Sequence, residues 1–420
     1  MTGALVVFVL TYLVIAGGQL KFLRLDRPGA AVVGAAAMVI VGGLPMDEAL
    51  RAIDLHVVIL LFGVLVIAAY LQRAQFFRYV AYAVLTRTRS ARTLLFGLTF
   101  VAGALSALLV NDTVCIVLTP LVIAVVVETR LPAMPYLLAL TGAANVGGVV
   151  SFSGNPQNMI VGAAARGTLG FAQYFALALP IGVACLAASA AMLSLLFRKQ
   201  LRAGTLGERT MPKPALDKPL AIKALAALAL FAALAIAGVE LAGAAMAAAA
   251  TLMLAARNGG RAVIGLVDWT LLAFFGGLFI VVAGLQHAGL LDRVFDAVAP
   301  VIARGDLVGD LAFVALIVIG SQLVSNVPLV IIAVHWIPRL PNPAWGFSIL
   351  AIVSTLAGNL TVFGSIANII VLEAAGPRGE IGFWRFLRYG AIITVVELAI
   401  AFGILWLERA IGMPGWLGLR

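Results

Sequence analysis

Residues 104–127 read ALSALLVNDTVCIVLTPLVIAVVV, an apolar run interrupted by Asn111, Asp112 and Thr113. An ionisable side chain at the centre of a bilayer costs about 2.5–3.5 kcal/mol, so such residues usually face a cavity and bind an ion or a substrate. Asp112 could instead cap a helix, but a capping carboxylate at membrane depth would still face a cavity. The stretch therefore predicts a polar tip within a membrane-embedded hairpin.

The composition of the chain is that of a membrane protein. Of its 420 residues, 63% are hydrophobic and 11% are charged, whereas soluble proteins contain about 25% charged residues. Several apolar runs match the ~20 residues that a spanning helix needs, namely 2–20, 29–45, 54–71, 171–197 and 388–407. The chain is therefore predicted to be an all-α polytopic membrane protein.

Identical residues recur about 214 positions apart, which indicates an internal repeat. The pairs at this offset are Asp54 and Asp268, Gly63 and Gly277, Leu71-Gln72 and Leu285-Gln286, Ala74 and Ala288, Thr141 and Thr355, and Asn145 and Asn359. The offset is 215 for Asn111 and Asn326, and 210 for Gly154 and Asn158 with Gly364 and Asn368. We therefore divide the chain into a first repeat (1–197), a cytoplasmic linker (198–218) and a second repeat (219–420).

Each repeat is predicted to contain three spanning helices, a re-entrant hairpin, a broken helix and a final helix. In the first repeat these are 2–20, 29–45, 54–72, 95–127, 134–165 and 171–197; in the second they are 219–237, 240–256, 268–286, 309–336, 345–373 and 388–407. A hairpin enters and leaves the membrane on one side, so each repeat has five crossings and the chain has about ten transmembrane helices. An odd number of crossings inverts the second repeat relative to the first.

The distribution of basic residues supports this topology. With the N-terminus and the C-terminus outside, 21 of the 28 Lys and Arg residues fall on the cytoplasmic side, in agreement with the positive-inside rule. The seven on the outside are Arg51, Arg166, Arg293, Arg304, Arg339, Arg409 and Arg420. We expect a multi-pass protein of a bacterial inner membrane.

Four polar segments form the predicted site. In the segment 145–158, Gly147, Gly148, Gly154 and Pro156 disfavour a continuous helix. Unwinding inside the membrane would expose carbonyl groups and a helix N-terminus to a ligand. A loop outside the membrane is the alternative, but apolar residues flank the segment on both sides. Its partners are the hairpin tip at 111–113, the second tip at 325–326 and the segment 354–368.

The predicted roles follow from these segments. The coupling residues are Asp112, Asn111 and Thr113, and the substrate-binding residues are Asn145, Ser153, Asn155, Asn158, Asn326, Asn359, Thr361, Ser365 and Asn368. The four segments contain no Lys or Arg, and Asp112 would repel a fully ionised substrate unless a proton or a sodium ion neutralised it. The second tip has Val327 in the position of Asp112, so one titrating group is expected. Glu397, in the last helix, is a weaker candidate for a proton path or a helix contact.

The chain resembles the ion transporter superfamily over nearly its whole length, in VNDTVCIVLTP (110–120), GNPQNMIVG (154–162), SQLVSNVP (321–328) and AGNLTVFGSIAN (357–368). It looks most like the branch of arsenite pumps, plant silicon-efflux transporters and bacterial anion permeases. The resemblance implies a homodimer with a scaffold part and a mobile transport part, in which hairpin tips and broken helices meet at the substrate. The related dicarboxylate and citrate carriers have Ser-Asn-Thr in both halves, which this chain lacks.

We therefore expect a secondary transporter that exports a neutral or weakly acidic oxyacid (arsenite, antimonite or silicate) by alternating access, with H+ as the coupling ion. Na+ coupling remains open. The alternatives are a sodium-coupled citrate or dicarboxylate importer, a sodium/proton antiporter, and a passive anion channel with a separate ATPase partner.

No phosphate-binding loop, nucleophile elbow or H-E-x-x-H pair is present, so neither an enzyme nor a cofactor is predicted. The basic residues that give the chain its net charge of +10 cluster in short loops between the spans. The expected partners are therefore the oxyacid and the lipid bilayer, and not nucleic acid.

Overall fold

The computed structural model describes residues 2–17, 25–202, 213–257, 260–376 and 381–418. These ranges contain 22 α-helices, and eight of them are long and apolar enough to cross a membrane. The prediction of an all-α polytopic membrane protein is therefore confirmed. Part of the predicted linker (203–212) lies outside the described residues, as do five of the basic residues used to assign the topology, Lys21, Arg24, Arg209, Arg378 and Arg420.

The described residues of the first repeat form ten helices. They are α1 (Thr2–Gly17), α2 (Arg27–Ile40), α3 (Met46–Ala52), α4 (Leu55–Arg73), α5 (Phe76–Arg87), α6 (Ala91–Leu108), α7 (Asn111–Glu128), α8 (Ala133–Val149), α9 (Pro156–Ala164) and α10 (Phe171–Leu196). The short helix α11 (Arg198–Arg202) follows at the start of the linker. Helices α6 and α7 form the predicted hairpin, and α8 and α9 are the two parts of the broken helix.

In the second repeat, the described residues form ten equivalent helices in the same order. They are α12 (Lys218–Ile236), α13 (Leu241–Ala256), α14 (Gly260–Ile264), α15 (Trp269–His287), α16 (Leu290–Ile302), α17 (Leu307–Val324), α18 (Asn326–Ala333), α19 (Pro343–Ala357), α20 (Ile366–Ala375) and α21 (Phe383–Ala410). The short helix α22 (Met413–Trp416) follows. The internal repeat read from the sequence is thus present in the fold.

Besides α11 and α22, four helices that form equivalent pairs in the two repeats were not predicted. Helices α5 and α16 follow residues in the left-handed conformation, Gln75 with φ 59° and Gly289 with φ 69°, and α3 and α14 precede the third spanning helix of each repeat. All four are short and carry polar side chains. A search for ~20-residue apolar runs detects spanning helices and overlooks short helices of this kind.

The two repeats pack together through two equivalent helix contacts. Helix α4 packs against α13, and α15 packs against α2. A Cβ atom at Gly63 would lie 2.8 Å from the backbone carbonyl carbon of Ala245, and one at Gly277 would lie 2.7 Å from that of Ala31. Ala31 and Ala245 are themselves 214 positions apart. The same close contact therefore occurs twice, once on each side of the pseudo-symmetric pair of repeats.

These contacts predict that Gly63→Ala and Gly277→Ala each destabilise the protein. The added methyl group must push two helix backbones apart, and overpacking of this kind costs about 1–3 kcal/mol. Gly276→Ala is the matched control, because a Cβ atom at Gly276 has no neighbour within 4 Å and Ala favours a helix. Thermal unfolding in detergent should give lower midpoints for the first two variants only. Three equal midpoints would contradict the close approach.

Each hairpin packs against the broken helix of the other repeat. Helix α20 lies against α7, and α9 lies against α18. In addition, the backbone N–H of Asn111, at the first hairpin tip, donates to the carbonyl of Gly154 over 3.0 Å. The polar segments of the two repeats are therefore brought together.

The structure corrects the register of two sequence matches. Asn158 Nδ2 donates to the carbonyls of Gly148 (2.9 Å) and Ser151 (3.2 Å). Asn368 Nδ2 makes the equivalent bonds to Gly358 (2.7 Å) and Thr361 (3.0 Å).

The offset is thus 210 throughout the broken helices, which begin at 133 and 343. Asn145 corresponds to Thr355, and the pairings of Asn145 with Asn359 and of Thr141 with Thr355 were wrong. The shortening lies before α19, because α18 has 8 residues where α7 has 18.

Candidate functional site

Both helix breaks are shaped by pairs of glycines. A Cβ atom at Gly154 would lie 2.7 Å from the Cα of Gly148, and one at Gly364 would lie 2.9 Å from the carbonyl oxygen of Gly358. The chain can therefore cross itself between the two parts of each helix only where side chains are absent. Asn155 then caps α9, its Oδ1 accepting the N–H of Asn158 over 2.8 Å. Asn155 has no exposed surface, so this segment is buried inside the protein.

Asn145 lies at the centre of a buried amide cluster. Its Oδ1 accepts hydrogen bonds from Asn111 Nδ2 (3.0 Å) and Ser365 Oγ (3.1 Å). Its Nδ2 donates to the Oδ1 atoms of Asn359 (2.8 Å) and Asn368 (3.2 Å). Five of the predicted site residues, two from the first repeat and three from the second, thus form one hydrogen-bonded group.

Backbone carbonyls determine the orientation of these amides. Asn368 donates through Nδ2 to the carbonyls of Gly358 and Thr361, which can only accept. Its Oδ1 must therefore face Asn145 as an acceptor, and Asn145 must present Nδ2 to it. The Oδ1 of Asn145 is left to accept from Asn111. The cluster has one consistent arrangement of donors and acceptors.

Other predicted residues stabilise the breaks instead of joining this cluster. Asn155 Nδ2 donates to Thr355 Oγ1 (3.1 Å), and Thr355 Oγ1 lies 3.2 Å from Asn158 Oδ1. Thr361 Oγ1 accepts the N–H of Gly364 and donates to Gln322 Oε1 over 2.8 Å.

Two further predicted residues have local partners. Ser153 Oγ lies 3.1 Å from Ser151 Oγ, and Asn326 Oδ1 accepts the N–H of the adjacent Val327 over 2.9 Å. Thr355 and Gln322 were not predicted as site residues. Thr355 lies in the predicted segment 354–368 and Gln322 in the motif 321–328, but nothing in the sequence distinguished these two side chains from their neighbours.

Asp112 lies beside Asn111 but lines a cavity of about 290 Å³ between α2, α7, α15 and α20. The Asp112 side chain is 5% exposed, and Thr113 next to it is half-buried. The other charged residues that line the cavity are Asp26, Arg27, Asp268 and Glu373. Four carboxyl groups and one guanidinium therefore surround this space.

A second cavity of about 780 Å³ lies at the other end of α15, between α4, α9 and α18. The residues of α15 that line it are Phe279, Val282, Ala283 and Gln286, whereas Thr270, Leu271 and Phe274 line the first cavity. Its charged and titratable lining residues are Arg51, Asp54, His56, Arg166 and His335. The two cavities thus differ in charge and approach the protein interior from opposite ends of a spanning helix.

Glu397 is a second acid next to the amide cluster. It lies in the middle of α21 with no exposed surface. Its Oε2 accepts from Asn359 Nδ2 over 3.0 Å, and its Oε1 contacts Ser189 Oγ of α10. From the sequence, Glu397 was a weak candidate, and the structure connects it directly to Asn359.

Known proteins resemble this chain over nearly its full length. A family described as "Citrate transporter" (CitMHS) matches residues 6–357. The silicon efflux transporter LSI3 of Oryza sativa subsp. japonica is 30% identical over 92% of this chain and 94% of its own. A putative transporter arsB of Dictyostelium discoideum is 24% identical over 95% of this chain and 91% of its own.

The fold also resembles a solved structure. The YdaH transporter of Alcanivorax borkumensis, whose topology is described as unusual, superposes with a TM-score of 0.61 at 17% identity, over 98% of both chains. At this identity the likeness concerns the fold alone. Together with the spanning helices and the extent of the family match, these findings show that the chain is a multi-pass membrane transporter that belongs to the CitMHS citrate transporter family.

Proposed function

We propose that this protein is a proton-coupled secondary transporter that exports a small neutral or weakly acidic oxyacid, such as arsenious, antimonious or silicic acid. The observation that carries the proposal is the amide cluster centred on Asn145, in which each member is an uncharged donor and acceptor. Asp112 lies next to this cluster in the chain, on a separate cavity. A neutral binding group and an adjacent acid suit a neutral substrate and a proton.

The hydrogen-bond chemistry supports this class of substrate. The hydroxyl groups of arsenious or silicic acid both donate and accept, as do the amides of Asn145, Asn359 and Asn111. Such a substrate can replace the bonds that the amides now make with one another. A fully ionised tricarboxylate would bring charges into a buried group that offers it no Lys or Arg among the described residues, and an unpaired buried charge is strongly disfavoured. The names of the silicon efflux and arsB relatives agree with this class.

Two cavities at opposite ends of α15 support alternating access. Neither cavity is lined by Asn145 or by another member of the amide cluster, so the cluster is closed off from both. We assign the acidic cavity with Asp112 to the cytoplasmic side of an inner membrane, because the basic residues of the sequence favour that orientation. Asp112 would then exchange its proton with the cytoplasm.

Citrate import coupled to sodium is the second candidate. It is favoured by the description of the matched family and by Arg51 and Arg166 in the larger cavity, which would attract an anion on its approach. Citrate import would require the anion to move away from Arg51 and Arg166 before it reaches the amide cluster, which offers no positive charge in their place.

Flux into liposomes that contain the purified protein distinguishes the two candidates. We expect arsenite or silicate to move uphill when a proton gradient is imposed, and a sodium gradient to have no effect. One pH unit is worth about 1.4 kcal/mol, so accumulation should approach about tenfold per proton. Citrate uptake driven by sodium would replace the proposal with the second candidate. Saturable flux that never runs uphill would indicate a channel.

A further inference from the structure

The Ser189 hydroxyl makes two short contacts beside Glu397, and both can be hydrogen bonds at once only if Glu397 supplies a proton. Ser189 Oγ lies 2.7 Å from the carbonyl oxygen of Cys185, one turn earlier in α10, and it also contacts Glu397 Oε1. A serine hydroxyl has a single hydrogen. If that hydrogen goes to the Cys185 carbonyl, which can only accept, the contact between Ser189 and Glu397 is a hydrogen bond only when Glu397 donates. A protonated Glu397 satisfies both contacts.

The other oxygen of Glu397 agrees with this arrangement. Oε2 accepts from Asn359 Nδ2 over 3.0 Å. The orientation of Asn359 is fixed in turn, because its Oδ1 accepts from Asn145. A neutral acid that accepts through Oε2 and donates through Oε1 therefore completes an unbroken series of bonds from Asn145 to the Cys185 carbonyl.

The surroundings of Glu397 provide no compensating charge among the described residues. Helix α10 presents the Cys185 thiol, whose Sγ lies 3.5 Å from the backbone oxygen of Glu397. Helix α19, the segment 358–365 and α22 contain no ionisable side chain. An ionised Glu397 would be a buried charge without a cation, which is strongly disfavoured.

We propose that Glu397 is a second proton-binding residue, linked to the substrate site through Asn359. The inference rests on the proposed function for its coupling role. On ionisation, the Ser189 hydroxyl would rotate from the Cys185 carbonyl to Glu397, and the proton would pass to water in the opened site. The carboxylate would then hold the Asn359 amide in a charge-assisted hydrogen bond, about twice as strong as a neutral one. The bond that Asn359 makes within the amide cluster would therefore depend on the protonation of Glu397, so proton binding and substrate binding are linked.

Proton counting during substrate binding tests the linkage. Titration calorimetry of arsenite or silicate in buffers of different ionisation enthalpy gives the number of protons exchanged per substrate bound. Glu397→Gln should reduce this number by up to one, because glutamine reproduces the hydrogen bonds of the neutral acid but cannot ionise. Glu408→Gln is the matched control, since Glu408 is also buried in α21, three turns away. The same proton count in Glu397→Gln and the wild type would overturn the linkage.

Infrared spectroscopy tests the protonation of Glu397 without any substrate. The wild-type protein should show the carbonyl stretch of a protonated carboxylic acid that is absent from Glu397→Gln. Ser189→Ala should shift this band, because the acid loses its acceptor. If no band disappears in Glu397→Gln, Glu397 is ionised and the proposal is wrong. If the band behaves as expected but neither arsenite nor silicate binds, the proposed substrate class fails while the proton site stands.

Discussion

Asp112→Asn should abolish the proton-driven accumulation of substrate in liposomes. Under a gradient of one pH unit, the accumulation ratio should fall from about tenfold per coupled proton to one. The physical reason is that an amide cannot exchange a proton, so the gradient no longer supplies free energy to the transport cycle. Exchange of labelled for unlabelled substrate at equal pH should persist, because the bonds around Asn145 do not involve the Asp112 side chain.

Asp268→Asn is the matched control for this experiment. Asp268 lines the same cavity and caps α15, its Oδ1 accepting the N–H of Leu271 over 3.1 Å. Asparagine is an equally good cap, so the variant removes one negative charge from the cavity and keeps the helix. We expect it to retain proton-driven accumulation. Full accumulation by Asp112→Asn would remove Asp112 from the mechanism. If both variants lost accumulation equally, the total negative charge of the cavity, and not proton exchange by Asp112, would be the cause.

The membrane architecture could be predicted from the sequence because its physical signals are local. The length of an apolar run decides whether a helix can span the bilayer, and the basic residues of short loops decide its orientation. Glycines and prolines at 147–156 marked the first break in the same way. The register within the second repeat could not be read, because the offset falls from 215 at the hairpin tips to 210 at the broken helices, where the short helix α18 replaces the longer α7. Pairing by residue identity placed this shortening after Asn145 instead of before α19.

The internal arrangement of the site depends on contacts that sequence patterns do not contain. Asn111 and Asp112 were grouped as one polar tip, yet successive residues of a helix point about 100° apart. Asn111 consequently reaches Asn145, and Asp112 faces the cavity. The partner of Glu397 is 38 positions away, in a segment that bends back only because the helix is broken. A single Glu in an apolar helix could not reveal that partner.

Asn145→Asp should make substrate binding depend on pH, with weak binding at neutral pH and recovery as the pH falls. The carboxylate would face the Oδ1 of Asn368, and Asn368 cannot rotate because its Nδ2 is held by two carbonyls. An unpaired buried polar group costs about 1–3 kcal/mol, so affinity should fall about tenfold or more. Protonation of the new acid supplies an O–H that can donate to Asn368. The low-pH form of the variant therefore regains one of the two hydrogen bonds that the Asn145 amide donates in the wild type.

Asn155→Asp is the matched comparison, because it places the same acid in the other buried polar group. Asn155 donates to Thr355 Oγ1, and a hydroxyl can rotate to donate to a carboxylate where the amide of Asn368 cannot. Its cap on α9 needs only an acceptor oxygen, which aspartate provides. Calorimetric binding of arsenite or silicate between acid and neutral pH should thus show a steep dependence for Asn145→Asp and a shallow one for Asn155→Asp, with thermal unfolding as the check on folding. If Asn145→Asp bound the substrate with equal affinity at every pH, the amides would have to rotate freely. The fixed arrangement of donors and acceptors in the cluster would then be wrong. The proposed substrate class and the role of Glu397 both depend on that arrangement.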